Sequence, residues 1–176
     1  MVTSTPAPPE GGESTGPVPR YETLATVAAQ IAAIDELIGL AKLSIRVYDM
    51  DLSRMGWNDP ARARSLAAFL RASPVARLEI IVQDTGWIER SCPRLTQLLK
   101  YQGHAVAIKR SGDDARSAMD PLLIVDGVHF LHRFHIGQPR AALSIGDPAA
   151  ATPLVTRFDA ISETAEPGIS PTTLGL

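Results

Sequence analysis

Strand-like and helix-like segments alternate along most of this chain, and that alternation limits its fold more than any other feature. The stretch "LSIRVYD" (43–49) is β-branched with apolar residues at every second position, which predicts a strand. In "WNDPARARSLAAFLRAS", Asp59 is a good N-cap, Pro60 suits the first helical turn, and Leu66, Phe69 and Leu70 form an apolar face. "ARLEIIVQD" (76–84) reads as a second strand, and its unbroken "IIV" predicts burial on both faces, as in a parallel sheet. A further helix is expected from Ser91 as cap and Pro93 in the first turn, with Leu95, Leu98 and Leu99 inward and Gly103 at its end. "HAVAIKR" (104–110) is a third strand.

The second half changes character. "PLLIVDGVHFLHR" (121–133) predicts a β-hairpin, because Asp126-Gly127 supplies the two positive-φ residues of a type I′ turn. "AALSI" (141–145) follows as a strand, and Asp147 caps a last helix carrying Leu154, Val155, Phe158 and Ile161. At the other end, Leu24, Val27, Ile31, Ile34, Leu37, Ile38 and Ala41 recur at helical spacing, which predicts one helix from Glu22 to Lys42. The expected fold is α/β: a mixed, mostly parallel β-sheet with helices on both faces.

At 176 residues the chain has the size of one domain. Residues 1–20, "MVTSTPAPPEGGESTGPVPR", are rich in Pro, Gly, Ser and Thr and are expected to be a disordered lead without the features of a signal peptide. The folded region is expected over 21–163, with 164–176 as a flexible tail. A net charge of −2 gives no bulk attraction to nucleic acid or to an anionic membrane, and no apolar run is long enough to span a bilayer. Cytoplasmic location is the simplest expectation, with neither membrane nor nucleic acid as partner. The single cysteine, Cys92, excludes an intramolecular disulfide framework. No cofactor is called for.

The element order, together with "SAMDPLLIVDGVHFLHRFH" (117–135), resembles one repeat of the phospholipase D-like fold over about residues 22–163. That family carries His-x-Lys-x4-Asp late in the repeat, and two such motifs meet at a two-fold axis. One His attacks phosphorus, the other protonates the leaving group, and the lysines hold phosphate oxygens. With the motif's Asp on Asp126, the His falls on Met119 and the Lys on Pro121. The segments "LSIRVYDMDLS", "IVQDTGWIERSCPRL", "FLHR" and "RFDAI" are similar to a group of bacterial uncharacterised domains that look like degenerate phospholipase D-like halves. The resemblance implies a degenerate single-repeat domain that pairs as a homodimer.

Each tempting residue has a plainer reading. Asp126 could be a surviving motif acid, but Asp-Gly explains itself as a turn. His129 and His132 are the candidates for a substitute nucleophile. On a strand they face opposite ways, and His129 and His135 lie roughly 20 Å apart at strand rise, too far for one metal ion. Arg46, Asp84, Arg94 and Arg133 form a candidate anion site at the strand ends, where open α/β sheets bind ligands; a structural ion pair, with Asp49 or Asp84 as Arg133's partner, explains them as well. Asp49 and Asp51 suit turns and caps better than Mg²⁺, and Trp57, Trp87 and Tyr48 lack the interleaved basic run of a base-stacking surface. Cys92, without a base partner, is structural.

The sequence therefore favours a non-catalytic binding or interaction domain on a phospholipase D-like scaffold. The alternatives are a phosphodiesterase or nuclease with substitute residues, and a sensor of a phosphorylated small ligand. Pairing is the expectation open to the quickest check: light scattering well above micromolar concentration should give twice the mass of one chain, and a monomer alone removes the homodimer.

Overall fold

A computed structural model describes residues 17–171. One mixed eight-stranded sheet forms the centre, in the order β1-β7-β6-β5-β2-β3-β4-β8. Its strands are β1 (Arg20–Leu24), β2 (Ser44–Asp49), β3 (Arg77–Val82), β4 (Val106–Arg110), β5 (Leu122–Val125), β6 (His129–Arg133), β7 (Ala141–Ile145) and β8 (Glu166–Ile169). β2, β3 and β4 run parallel, and every other neighbouring pair is antiparallel. The helices are α1 (Val27–Leu40), α2 (Pro60–Ala72), α3 (Gly86–Ser91), α4 (Pro93–Tyr101) and α5 (Pro148–Glu163), with a 3₁₀ turn at Asp113–Ser117. Among the described residues, no helix is long and apolar enough to cross a membrane.

The core has two layers, one on each face. On one side Ile45, Val47, Leu78, Ile80, Leu123 and Leu131 meet α1, α2 and α4. On the other, Tyr48, Ile81, Leu122, Ile124 and Phe130 meet α5. This explains why "LLIV" and "IIV" are apolar without alternation: both faces of those strands are covered, and Ile80, Ile81, Val82, Ile124 and Val125 are fully buried. Asp59 and Asp147 cap α2 and α5 as their sequence positions predict, each accepting backbone N–H bonds from the first turn.

Four sequence expectations need correction. The sheet is mixed as expected but not mostly parallel: β2–β3 and β3–β4 are parallel and the other five pairings are antiparallel, because the hairpin strands and both edge strands join against their neighbours. The predicted helix from Glu22 is two elements: β1 pairs antiparallel with β7, and α1 starts only after the Thr26 cap, whose hydroxyl accepts from Ala29 N. Ser91 ends α3 rather than capping the next helix, and α4 follows from Cys92 with no side-chain cap. Residues 166–169, expected to belong to a loose tail, form β8 beside β4. The expectations for 1–16 and 172–176 lie outside the described residues.

The hairpin turn follows its chemistry. Asp126 and Gly127 have φ of 55° and 69°, and Val128 N donates to Val125 O. Asp126 does more than turn the chain. Its carboxylate accepts from Lys42 N at 2.9 Å, Leu43 N at 2.8 Å and Ser44 N at 2.7 Å, and its own N–H donates to Ser44 O. The hairpin is thereby fastened to the junction between α1 and β2. Replacing Asp126 with Ala should lower stability by roughly 2–4 kcal/mol, since three charge-assisted bonds are lost. Gly127→Ala, which meets open space but keeps a positive φ, should cost only about 1 kcal/mol. Urea unfolding of both variants checks the order; equal losses would show that the carboxylate bonds contribute little.

Candidate functional site at the strand ends

β2, β3 and β6 point the same way and β5 runs against them, so one end of the sheet collects Asp49, Gln83, Asp120, Pro121, His132 and Arg133. Asp126 and His129 sit at the opposite end. The two ends are thus separate environments, and the three weak catalytic candidates, His129, His132 and Asp126, do not form one cluster.

Arg133 and Asp49 are the buried charges of this end, 5% and 6% exposed. Nη1 of Arg133 stands 3.7 Å from Asp49 Oδ2, and Nη2 donates to Ile136 O at 3.2 Å. Nε and Nη1 of Arg133 have no hydrogen-bond acceptor among the described residues. Asp49 Oδ1 accepts from Met50 N at 2.6 Å. Burial pushes the Asp49 carboxyl above its ordinary range, against the opposing pull of the Met50 N–H and Arg133. Burial likewise lowers the Arg133 guanidinium, with Asp49 acting the other way.

The loop between β2 and α2 closes over this pair. Leu52, Met55 and Trp57 are at most 2% exposed. Arg62 pins the loop to α1: its Nε donates to Asp35 at 2.7 Å, Nη2 to Ile31 O at 3.2 Å and Nη1 to Met55 O, while its guanidinium lies 5.3 Å from the Trp57 ring centroid. The space left beside Asp49, Arg133, Met55 and Trp57 is about 20 Å³. That is room for one water and not for a phosphodiester.

On the α5 side, a second polar group flanks the motif positions. His132 Nε2 lies 3.1 Å from Asp120 Oδ2, and Arg157 of α5 pairs with Asp120 Oδ1. Tyr48 donates its hydroxyl towards the carbonyls of Ala115 and Ala118 and accepts from Gln83 Nε2 at 2.8 Å. Burial raises the Tyr48 hydroxyl above its ordinary value. Met119 and Pro121 take part through their carbonyls, which accept from Ile136 N and Arg133 N.

The four residues of the predicted anion site do not converge. Arg46 lies on the α5 face, 3.4 Å from Asp159 and over the Phe158 ring, whereas Arg133 is on the opposite face. Arg94 donates to Asn58 O at 3.1 Å, and Asp84 accepts from Gly86 N at 2.8 Å. Of the two carboxylates expected as Arg133's partner, Asp49 fills the role. His129 Nδ1 accepts from Gly146 N at 2.8 Å, and burial lowers its pKa, in keeping with a neutral ring that can accept. His135 Nδ1 accepts from Gly137 N. Among the described residues no three His, Cys, Asp or Glu side chains are grouped to hold a metal ion. Cys92 is buried and its thiol is pushed up by desolvation. Sequence reasoning missed Asp120, although it stands between Met119 and Pro121, and missed Arg157, which reaches it from 37 positions away.

A family model described as "Domain of unknown function (DUF7931)" matches residues 26–170. At the sequence level no curated protein matches the chain. Solved structures do. TrmBL2, an archaeal chromatin protein whose structure shows a novel mode of DNA binding, aligns with a TM-score of 0.65 at 14% identity, over 89% of this chain and 57% of its own. Nuc, a phospholipase D family member from Salmonella typhimurium, gives 0.61 at 14% identity, over 87% of this chain and all of its own. Phosphatidylserine synthase from Haemophilus influenzae Rd KW20 gives 0.57 at 15% identity, over 90% and 42%. The chain therefore spans little more than half of the chromatin protein. The fold is phospholipase D-like, with a single mixed sheet.

Asp49 supplies a pH test. Its folded pKa is raised, so the native state holds the proton more tightly than the unfolded chain does. Its contribution is favourable below the ordinary carboxylate pKa and is lost as pH rises through the raised value. Asn at this position cannot ionise. The stability difference between Asp49→Asn and the parent should shift towards the variant as pH rises from about 3.5 to neutrality; a difference independent of pH, measured by urea unfolding, contradicts the assignment.

Proposed function

The chain belongs to the DUF7931 family, and we propose that it is a non-catalytic binding domain built on a phospholipase D-like scaffold with a degenerate active site. The observation that carries this reading is the closed strand end. Met55 and Trp57 are buried beside the Asp49–Arg133 pair, and the space left there is about 20 Å³. The positions aligned with the family's His and Lys hold Met119 and Pro121, which provide neither a nucleophile nor a charge for the developing phosphorane. A DNA-binding chromatin protein shares the fold, so recognition is also among the uses of this scaffold.

One observation favours a second reading. His132 oriented by Asp120 is half of an acid–base apparatus, and a phosphodiesterase with substitute residues would use it. It lacks the rest: Arg157 is already engaged with Asp120, and His129 lies at the far end of the strand.

The test is incubation with bis-p-nitrophenyl phosphate, single-stranded DNA and phospholipid vesicles, with and without divalent metal. The proposal expects no turnover above buffer for the parent or for His132→Ala. Turnover in the parent that survives purification and vanishes in His132→Ala or Asp120→Ala overturns it in favour of the second reading.

A further inference from the structure

Away from the strand ends, α2 and α4 enclose a groove of about 510 Å³. Arg64, Ala67 and Arg71 line one wall at helical spacing, and Arg94, Leu98 and Tyr101 line the other. Neither helix, "PARARSLAAFLRA" or "PRLTQLLKY", contains a carboxylate. In a chain of net charge −2 this is a segregated positive face. Arg62 points inward to Asp35, but Arg64 and Arg71 have no hydrogen-bond or ion-pair partner among the described residues, and the Arg94 side chain donates only to Asn58 O. Asp59, the neighbouring acid, has its Oδ1 occupied by Ala61 N and Arg62 N; Arg64 is near enough to help hold its carboxyl below the usual range but is not among its ion-pair partners within 4 Å.

Three guanidiniums line one groove, and their planar forks match phosphate oxygens. Arg64 and Arg71 are two turns apart, about 10 Å along the axis, which suits a short run of phosphates more than a single carboxylate. The lining is apolar at Ala67 and Leu98, and Tyr101 is 77% exposed, open to an aromatic base. The volume is in the range of small-ligand sites, roughly 300–1,000 Å³.

We propose that this groove binds a free nucleoside phosphate, with the phosphates held between Arg64, Arg71 and Arg94 and the base against Tyr101. The inference rests on the non-catalytic binding reading and supplies its ligand class. It also relocates the phosphate site: of the four residues expected from sequence, only Arg94 belongs to it.

The probe is ADP, titrated calorimetrically into the full chain at low salt, with adenosine, tripolyphosphate and a short oligodeoxyadenylate as comparison ligands. ADP should bind; the Arg64→Ala, Arg71→Ala double variant should weaken it about tenfold or more. Tyr101→Ala should weaken it about fivefold or more, as expected for a lost stack. All the altered side chains are exposed, so melting temperatures should not move. Failure of ADP to bind, affinity unchanged in either variant, tripolyphosphate binding as tightly as ADP, or the oligonucleotide binding more tightly each overturns the proposal. Recovered ADP is then checked by chromatography. Intact but unbound ADP sinks the groove assignment alone, whereas ADP hydrolysed by the parent sinks the non-catalytic reading beneath it.

Discussion

The carboxylate of Asp126 joins parts of the chain that nothing local would bring together. It receives the backbone N–H groups of Lys42, Leu43 and Ser44, where α1 ends and the central strand β2 begins. Leaving those donors unpaired would carry a desolvation penalty. β2 pairs in parallel with β3 on one side and antiparallel with β5 on the other, so the registry of both halves of the sheet is referred to this contact. A residue that looks like a remnant of catalysis in the sequence is, in the fold, the peg between a hairpin and a helix–strand junction.

What was legible in the sequence follows the range of the interactions. Elements specified by their own residues were readable: the doubly buried "IIV", the Asp-Gly turn, the caps at Asp59 and Asp147. β1 was not, because its burial comes from β7, far along the chain, and four of its five residues are exposed. β8 contains Pro167 and Gly168, which read as loop; its pairing with β4 includes a register shift that no periodicity anticipates. The site divides the same way. Arg133 could be assigned a carboxylate partner from sequence, and Asp49 was one of two named. Asp120–Arg157 and the Arg62 anchor depend on side chains meeting across separate elements, and the groove arginines share a face only once α2 and α4 are packed together.

The two buried arginines of this chain play unequal parts. Arg62 finds three oxygen acceptors and an aromatic face, so its burial is compensated. Arg133 keeps two nitrogens without acceptors among the described residues, beside an aspartate whose ionised form burial disfavours. Well-satisfied Arg62 holds the loop shut over poorly satisfied Arg133. The Asp49–Arg133 pair is thus enclosed, whereas Arg64 and Arg71 on α2 are exposed.

The margins of the sheet bear on how this protein meets its neighbours. An exposed edge strand is an invitation to intermolecular hydrogen bonding, and both edges here discourage it. β1 carries Arg20 and Glu22, bonded to each other and, through Arg20, to Glu36. β8 is short, is interrupted by a register shift at Gly168, and has an exposed proline that cannot donate. A neighbouring molecule approaching either flank finds charge on one and a missing donor on the other. Continuation of the sheet from molecule to molecule, the route by which open β structures polymerise, is disfavoured at both ends by the identity of a few residues.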